Sequence, residues 1–253
     1  MGFNISNFTD NDDVRILDEK GMFKVIEYIR DLSCTPSEAQ LKYFMTQQGV
    51  RKKQLVIELN DDGAILQPGR MQWMLGSVSQ TTGLKGVGDA VGKFFQGRVT
   101  GESTIKPEYK GNGIVVTEPT YNHLLLENLK DWDGSMVIQD GLFYACDNEI
   151  QLKTIARSNL SSAVAGGEGL FNLCLTGPGI VALECDVPRE ELICIDLFDD
   201  VLKVDGSYAI AWSTTLNFTV ERSGKSLLGS AASGEGLVNV YKGTGKILLM
   251  PQV

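Results

Sequence analysis

Histidine occurs once in this chain of 253 residues, at His123. Any Ser-His or Cys-His device would therefore rest on that one imidazole. His123 opens the run His123-Leu124-Leu125-Leu126 and reads as a hydrogen-bonded residue at a strand start, not as a base. The five cysteines (Cys34, Cys146, Cys174, Cys185 and Cys194) contain no CxxC pair, so neither a disulfide framework nor a zinc site is indicated. They lie in apolar runs such as Leu173-Cys174-Leu175 and are expected as buried thiols of a reducing, cytoplasmic compartment. No apolar run nears the ~20 residues of a membrane-spanning helix. The N-terminus shows neither a basic n-region nor an apolar h-region, so no signal peptide is expected. Cations are scarce as well: the net charge is −9, which argues against a nucleic-acid partner because phosphate affinity comes from Lys and Arg. The compact basic cluster Arg51-Lys52-Lys53 reads as a solvated strand start.

What is present is glycine, 28 residues of it, with hydrophobic residues at 43%. High Gly with little Pro suits short strands joined by tight turns. From Lys53 onward three kinds of segment recur in one order. A hydrophobic strand carrying an acidic residue appears around Glu58, Glu127 and Asp196. A glycine turn opening an alternating strand follows at Gly69, Gly141 and Gly206. A Gly-Glu step then precedes a Gly-x-Gly turn: Glu102 with Gly111 and Gly113, Glu168 with Gly177 and Gly179, Glu235 with Gly243 and Gly245. The glutamates are 66 and 67 residues apart, and the leading glycines of the Gly-x-Gly turns are 66 and 66 apart. One order and one period in three kinds of motif indicate an internal repeat.

The fold class expected is mainly β. Three pseudo-repeated units (51–120, 121–185 and 186–253) pack with pseudo-threefold symmetry, because one small sheet cannot cover its own apolar face. The N-terminal extension 1–50 carries a partly alternating run over Phe23–Ile29, expected as an edge strand. A helix follows, begun by Thr35-Pro36-Ser37-Glu38 and packing Leu41, Phe44 and Met45 on the β body. Unit one has an insert in which Val87, Ala90, Val91, Phe94 and Phe95 follow a helical period.

The glycine-rich motifs fail as nucleotide sites on spacing. Gly224-Lys225-Ser226 has Thr219 where a phosphate loop needs glycine, and Gly86-x-Gly88 with Gly92 misses the dinucleotide spacing by one residue. No cofactor, metal site or catalytic residue is indicated. The polar set that remains is Glu102, Glu168 and Glu235. Each either fixes its turn by accepting amide hydrogen bonds or joins the others about an axis to hold a cation.

Val164-Ala-Gly-Gly-Glu168-Gly-Leu-Phe171, Lys203-Val-Asp-Gly-Ser-Tyr208 and Gly229-Ser-Ala-Ala-Ser-Gly-Glu235 resemble the "altered inheritance of mitochondria" (mitochondrial biogenesis) family from about Phe23 onward. The resemblance implies a fold similar to the tryptophan RNA-binding attenuation protein and further joining of chains, as a homotrimer. It implies no activity. The function expected is a non-enzymatic oligomeric scaffold or protein-interaction module, with contact to a membrane surface or stress-response assembly. A ring binding a small ligand or cation is the first alternative. An RNA-binding ring is the second, disfavoured because no Lys/Arg position repeats in the three units.

Overall fold

The computed structural model describes residues 2–82, 106–156, 171–222 and 237–251. The expected insert helix and the three repeated glutamates lie outside these residues. The chain opens with a hairpin, β1 (Val14–Lys20) and β2 (Phe23–Tyr28), turning at Gly21 with φ +57°. The apolar run does form β2, but β2 is no edge strand. It pairs with β1 on one side and with β3 (Lys53–Leu66) on the other. The edge is β1, whose charged sequence VRILDEK carries no strand signal of its own.

The helix α1 runs Ala39–Gln47 and starts later than the Thr-Pro signal suggested. Half of the capping box is nevertheless built: the Glu38 carboxylate accepts from the Thr35 backbone N–H at 3.1 Å and its hydroxyl at 2.8 Å. Of the expected packing of α1 on the β body only Met45 is partly covered, beside Tyr28 and Tyr121. No residue of α1 is buried, and Leu41 and Phe44 are 63% and 56% exposed. What holds α1 is polar: the Lys42 ammonium reaches Asp31 at 3.3 Å and the Ser33 carbonyl at 2.9 Å.

Three stretches then share one pairing scheme. In the first, β5 (Glu108–Thr117) lies between β3 and β4 (Met71–Thr81). The second is more broken: β6 (His123–Asn128), β7 (Ser135–Ile138), β8 (Phe143–Asp147), β9 (Gln151–Ala156), β10 (Phe171–Thr176) and β11 (Ile180–Cys185). Here β11 pairs with β6 and β8, while β10 pairs with β7 and β9. In the third, β15 (Leu237–Leu249) takes β12 (Ile193–Asp205) on one side, and β13 (Ala209–Ser213) and β14 (Asn217–Arg222) on the other. Each time the last segment lies between the first two.

The Gly-x-Gly motifs are not the turns between strands that were expected, except at Gly177 and Gly179, where the chain passes from β10 in one sheet to β11 in the other. Gly111 and Gly113 lie inside β5, and Gly243 and Gly245 inside β15. They serve close approach: a Cβ on Gly113 would stand 2.0 Å from the Leu75 carbonyl oxygen. Opposite each motif the first segment bends at an aspartate with positive φ, namely Asp61, Asp133 and Asp199. Asp tolerates this region better than most residues because its short side chain bonds locally.

The strands form two curled sheets. One runs β1-β2-β3-β8-β11-β6, with β5 on β3 and β4 on β5; the other runs β12-β15-β13-β7-β10-β9, with β14 on β15. The stretch 121–185 thus supplies strands to both. Its side chains dominate the core between them, where Trp132, Met136, Ile138, Leu175 and Leu183 meet Ile210 and Leu248. β8 and β13 are buried at nearly every position, so the alternation expected after Gly141 and Gly206 gives way to burial on both faces. Cys146 and Cys185 are buried as expected, but Cys34 and Cys194 are exposed, because Cys34 precedes the helix and Cys194 lies on an edge strand.

Candidate functional site

Glu102, Glu168 and Glu235 all lie outside the described residues. Each lies in the connection from the second to the third segment of its unit: between β4 and β5, β9 and β10, β14 and β15. Among the described residues no three His, Cys, Asp or Glu side chains are placed to hold a metal.

The charged cluster the structure does assemble was not foreseen. β2 lies between β1 and β3 in a register that sets Arg15 opposite Glu27 and Glu27 opposite Lys53. The Glu27 carboxylate, 4% exposed, accepts from Arg15 at 2.7 Å and Arg51 at 3.2 Å, and the Lys53 ammonium stands 3.9 Å away. Lys53 is 2% exposed and donates to the Arg51 carbonyl at 3.0 Å. Burial pushes its pKa below the ordinary lysine value, with Glu27 opposing and Arg51 adding to the fall. The basic triplet is therefore no solvated strand start: Arg51 pairs with Glu27, Lys52 with Asp31 at 2.9 Å, and Lys53 is enclosed. The cue available in the sequence was the apolar run after Lys53, which continues a buried strand.

Lys53 and His123 line a cavity of about 270 Å³ with Lys20, Asp18, Arg189 and Glu190. His123 is half-buried, and burial followed by the Lys53 charge lowers its pKa, which keeps the imidazole neutral. Several of the cavity's charged groups have partners, Lys20 among them with Asp18 at 3.7 Å. Glu127 accepts from Arg189 at 2.7 Å and from the Trp132 indole at 3.1 Å, and Lys20 reaches the Leu126 carbonyl at 2.6 Å. A third buried carboxylate, Glu184, is held by Arg70 and by the Thr120 hydroxyl at 2.7 Å. These carboxylates are matched to cations and donors, the arrangement of structural networks.

Apolar surface is the other unforeseen feature. Phe198 is 80% exposed, Ile193 47% and Val201 42%, all on β12, whose outer edge carries no strand among the described residues. A long edge with apolar side chains is a surface for pairing with another chain. Residues 44–252 match the family described as "Mitochondrial biogenesis AIM24". The chain belongs to that family. A protein of Streptococcus pyogenes known from an X-ray crystal structure has a similar fold, with TM-score 0.59 and 24% identity over 80% of this chain and 89% of that one. No curated protein sequence matches this AIM24-family chain significantly. Among the described residues of the AIM24-family chain, no helix is long and apolar enough to cross a membrane.

Proposed function

We propose that this AIM24-family protein is a non-enzymatic, homo-oligomeric β scaffold that presents its surface to a protein partner. The observation that carries the reading is the outer edge of β12: 13 residues long, unpaired among the described residues, with Phe198 at 80% exposure. Monomers cover or blunt such edges, so an open one is best explained by a subunit that completes it. The pairing scheme common to the three stretches supports three pseudo-repeated units set side by side. A ring fold like that of the attenuation protein, with a homotrimer as the assembled form, then closes through contacts between copies and not through a threefold axis within one chain. The buried carboxylates stabilise the fold, and the protein works from the cytoplasm, at a membrane surface or within an assembly. Native mass spectrometry of protein taken directly from cells tests the reading. A homotrimer without a bound small molecule is expected. A monomer at micromolar concentration refutes it, and a stoichiometric cation or ligand adduct would replace it with the ring-shaped binding site at Glu102, Glu168 and Glu235.

A further inference from the structure

Two joints inside the chain share one geometry. At the first, the end of β3 meets β8 with Ala64 opposite Asp147, Ile65 opposite Cys146 and Leu66 opposite Ala145. Beyond them the Gln67 N–H donates to the Tyr144 carbonyl at 2.8 Å. At the second, the end of β7 meets β13 with Met136 opposite Ser213, Val137 opposite Trp212 and Ile138 opposite Ala211. There the Gln139 N–H donates to the Ile210 carbonyl at 2.9 Å. In both, the accepting carbonyl belongs to the residue that a bulge skips in the strand's other pairing. The rule is simple: the end of one unit's first segment pairs with the start of the next unit's second segment.

A third pair of such edges exists without its joint. Among the described residues β12 pairs with β15 alone and β4 with β5 alone. β4 carries the same bulge, at Gln72. Counting from Gly69, Gly141 and Gly206 aligns 201–204 with 64–67, and 72–75 with 144–147. We infer that the 201–204 edge of β12 pairs with the 72–75 edge of β4 in a second copy of this chain. The register sets Val201 opposite Leu75, Leu202 opposite Met74 and Lys203 opposite Trp73, with the Val204 N–H donating to the Gln72 carbonyl. Val201 and Met74 are 42% and 41% exposed, which is open surface at the centre of both edges. Charge selects the partner. β12 carries Asp196, Asp199, Asp200 and Asp205, so two β12 edges would set carboxylates against each other, whereas β4 has no charged residue. The contact is head-to-tail, and it closes into a ring when the rotation per copy allows.

This surface rests on the homo-oligomer reading, and the test separates the two. Val201→Cys with Leu75→Cys is made in full-length protein whose exposed Cys34 and Cys194 are replaced by serine. The two positions form a non-hydrogen-bonded pair, close enough for a disulfide. Mild oxidation should link the bulk of the chain into covalent oligomers, while Val201→Cys with Ser77→Cys, two residues out of register, should not link. Two substitutions guard against a misfolded cysteine pair. Leu202→Pro removes an N–H that points away from β15, and Met74→Asp sets a carboxylate against the acidic strand. Each should keep the monomer folded by circular dichroism and raise the dissociation constant of the assembly at least about tenfold in native mass spectrometry. If the wild type is oligomeric but the register pair stays unlinked and both substitutions leave the assembly intact, this surface is wrong while the scaffold reading stands. A monomeric wild type removes both.

Discussion

Substituting Glu27 with Gln removes one negative charge from the centre of a buried network and leaves its shape unchanged. In the native protein that carboxylate faces Arg15 at 2.7 Å, Arg51 at 3.2 Å and the Lys53 ammonium at 3.9 Å. Arg15 has half its side chain in water and can relax outward, so its loss is screened. Lys53 cannot, since its side chain is 2% exposed. It keeps a single charge-free partner, the Arg51 carbonyl at 3.0 Å. Leaving an uncompensated buried charge costs about 3–5 kcal/mol, and the screened share of Arg15 places Glu27→Gln near the lower end, about 3 kcal/mol. For a chain of this size each kcal/mol moves Tm by about 2–4 °C, so a fall of about 6–12 °C is expected in scanning calorimetry. The pH dependence gives a second reading. Burial lowers the Lys53 pKa from 10.5, so the unfolded chain holds the extra proton between the lowered value and 10.5. Stability therefore rises with pH through that window. Without Glu27 the folded pKa falls further and the window widens downward, so the deficit of Glu27→Gln should shrink as pH is raised from 7 to 9.5. Replacing both partners, Glu27→Gln with Lys53→Met, should recover most of the loss. A Glu27→Gln protein within about 1 kcal/mol of wild type, or a double substitution worse than the single one, would refute the reasoning.

Three further outcomes are expected. Gly113→Ala forces a Cβ to 2.0 Å from the Leu75 carbonyl and should cost more than about 2 kcal/mol, whereas Gly69→Ala meets no atom within 4 Å and carries only the strain of φ +80°, about 1 kcal/mol; chemical denaturation measures both. In thiol titration of the native protein, the exposed Cys34 and Cys194 should react at once, while Cys146 and Cys185, whose pKa values burial pushes up, should require denaturant; rapid reaction of Cys146 would contradict its position in β8. Leu41→Ser with Phe44→Ser should change monomer stability by no more than about 0.5 kcal/mol per site, because α1 buries nothing; a large fall in Tm would show that the helix packs on the sheet after all.

Much of the strand order was legible because it is written in short-range chemistry. The apolar runs at Leu55, Leu124 and Ile193 fall in or against β3, β6 and β12, and the turns at Gly69, Gly141 and Gly206 have positive φ and precede β4, β8 and β13. Features set by register were not legible. Glu27 and Lys53 are 26 residues apart, and only the pairing of β2 with β3 sets them opposite each other. β1 was hidden because an edge strand needs few apolar residues, and α1 misled because an amphipathic pattern states which face is apolar, not what covers it. The Gly-x-Gly motifs were seen but read as turns. Spacing alone cannot distinguish a reversal of the chain from a bend inside a strand.

That last ambiguity bears on the assembly. The same glycine motif accompanies a bend in β5 and β15 but a full break between β10 and β11, and the aspartate opposite it bends β3 and β12 but separates β6 from β7. Local sequence does not account for the difference, since Asp61, Asp133 and Asp199 share one conformation. The neighbours do. The middle unit has a unit on either side, and its halves are drawn into two different sheets, β6, β8 and β11 into one and β7, β9 and β10 into the other. The outer units each have one neighbour, so one half of each has no second sheet to join: β3, β4 and β5 run on unbroken in the first and β12 and β15 in the third, where only the second segment divides, into β13 and β14. A head-to-tail partner would give both outer units what the middle one already has. Amide exchange then supplies a direct contrast: on assembly, protection should rise along 201–204 and 72–75 and stay unchanged along β7 and β8. Equal protection in all four segments, or none in the first two, would mean that the broken middle unit is a local accident of chain 129–134 and not the imprint of two neighbours.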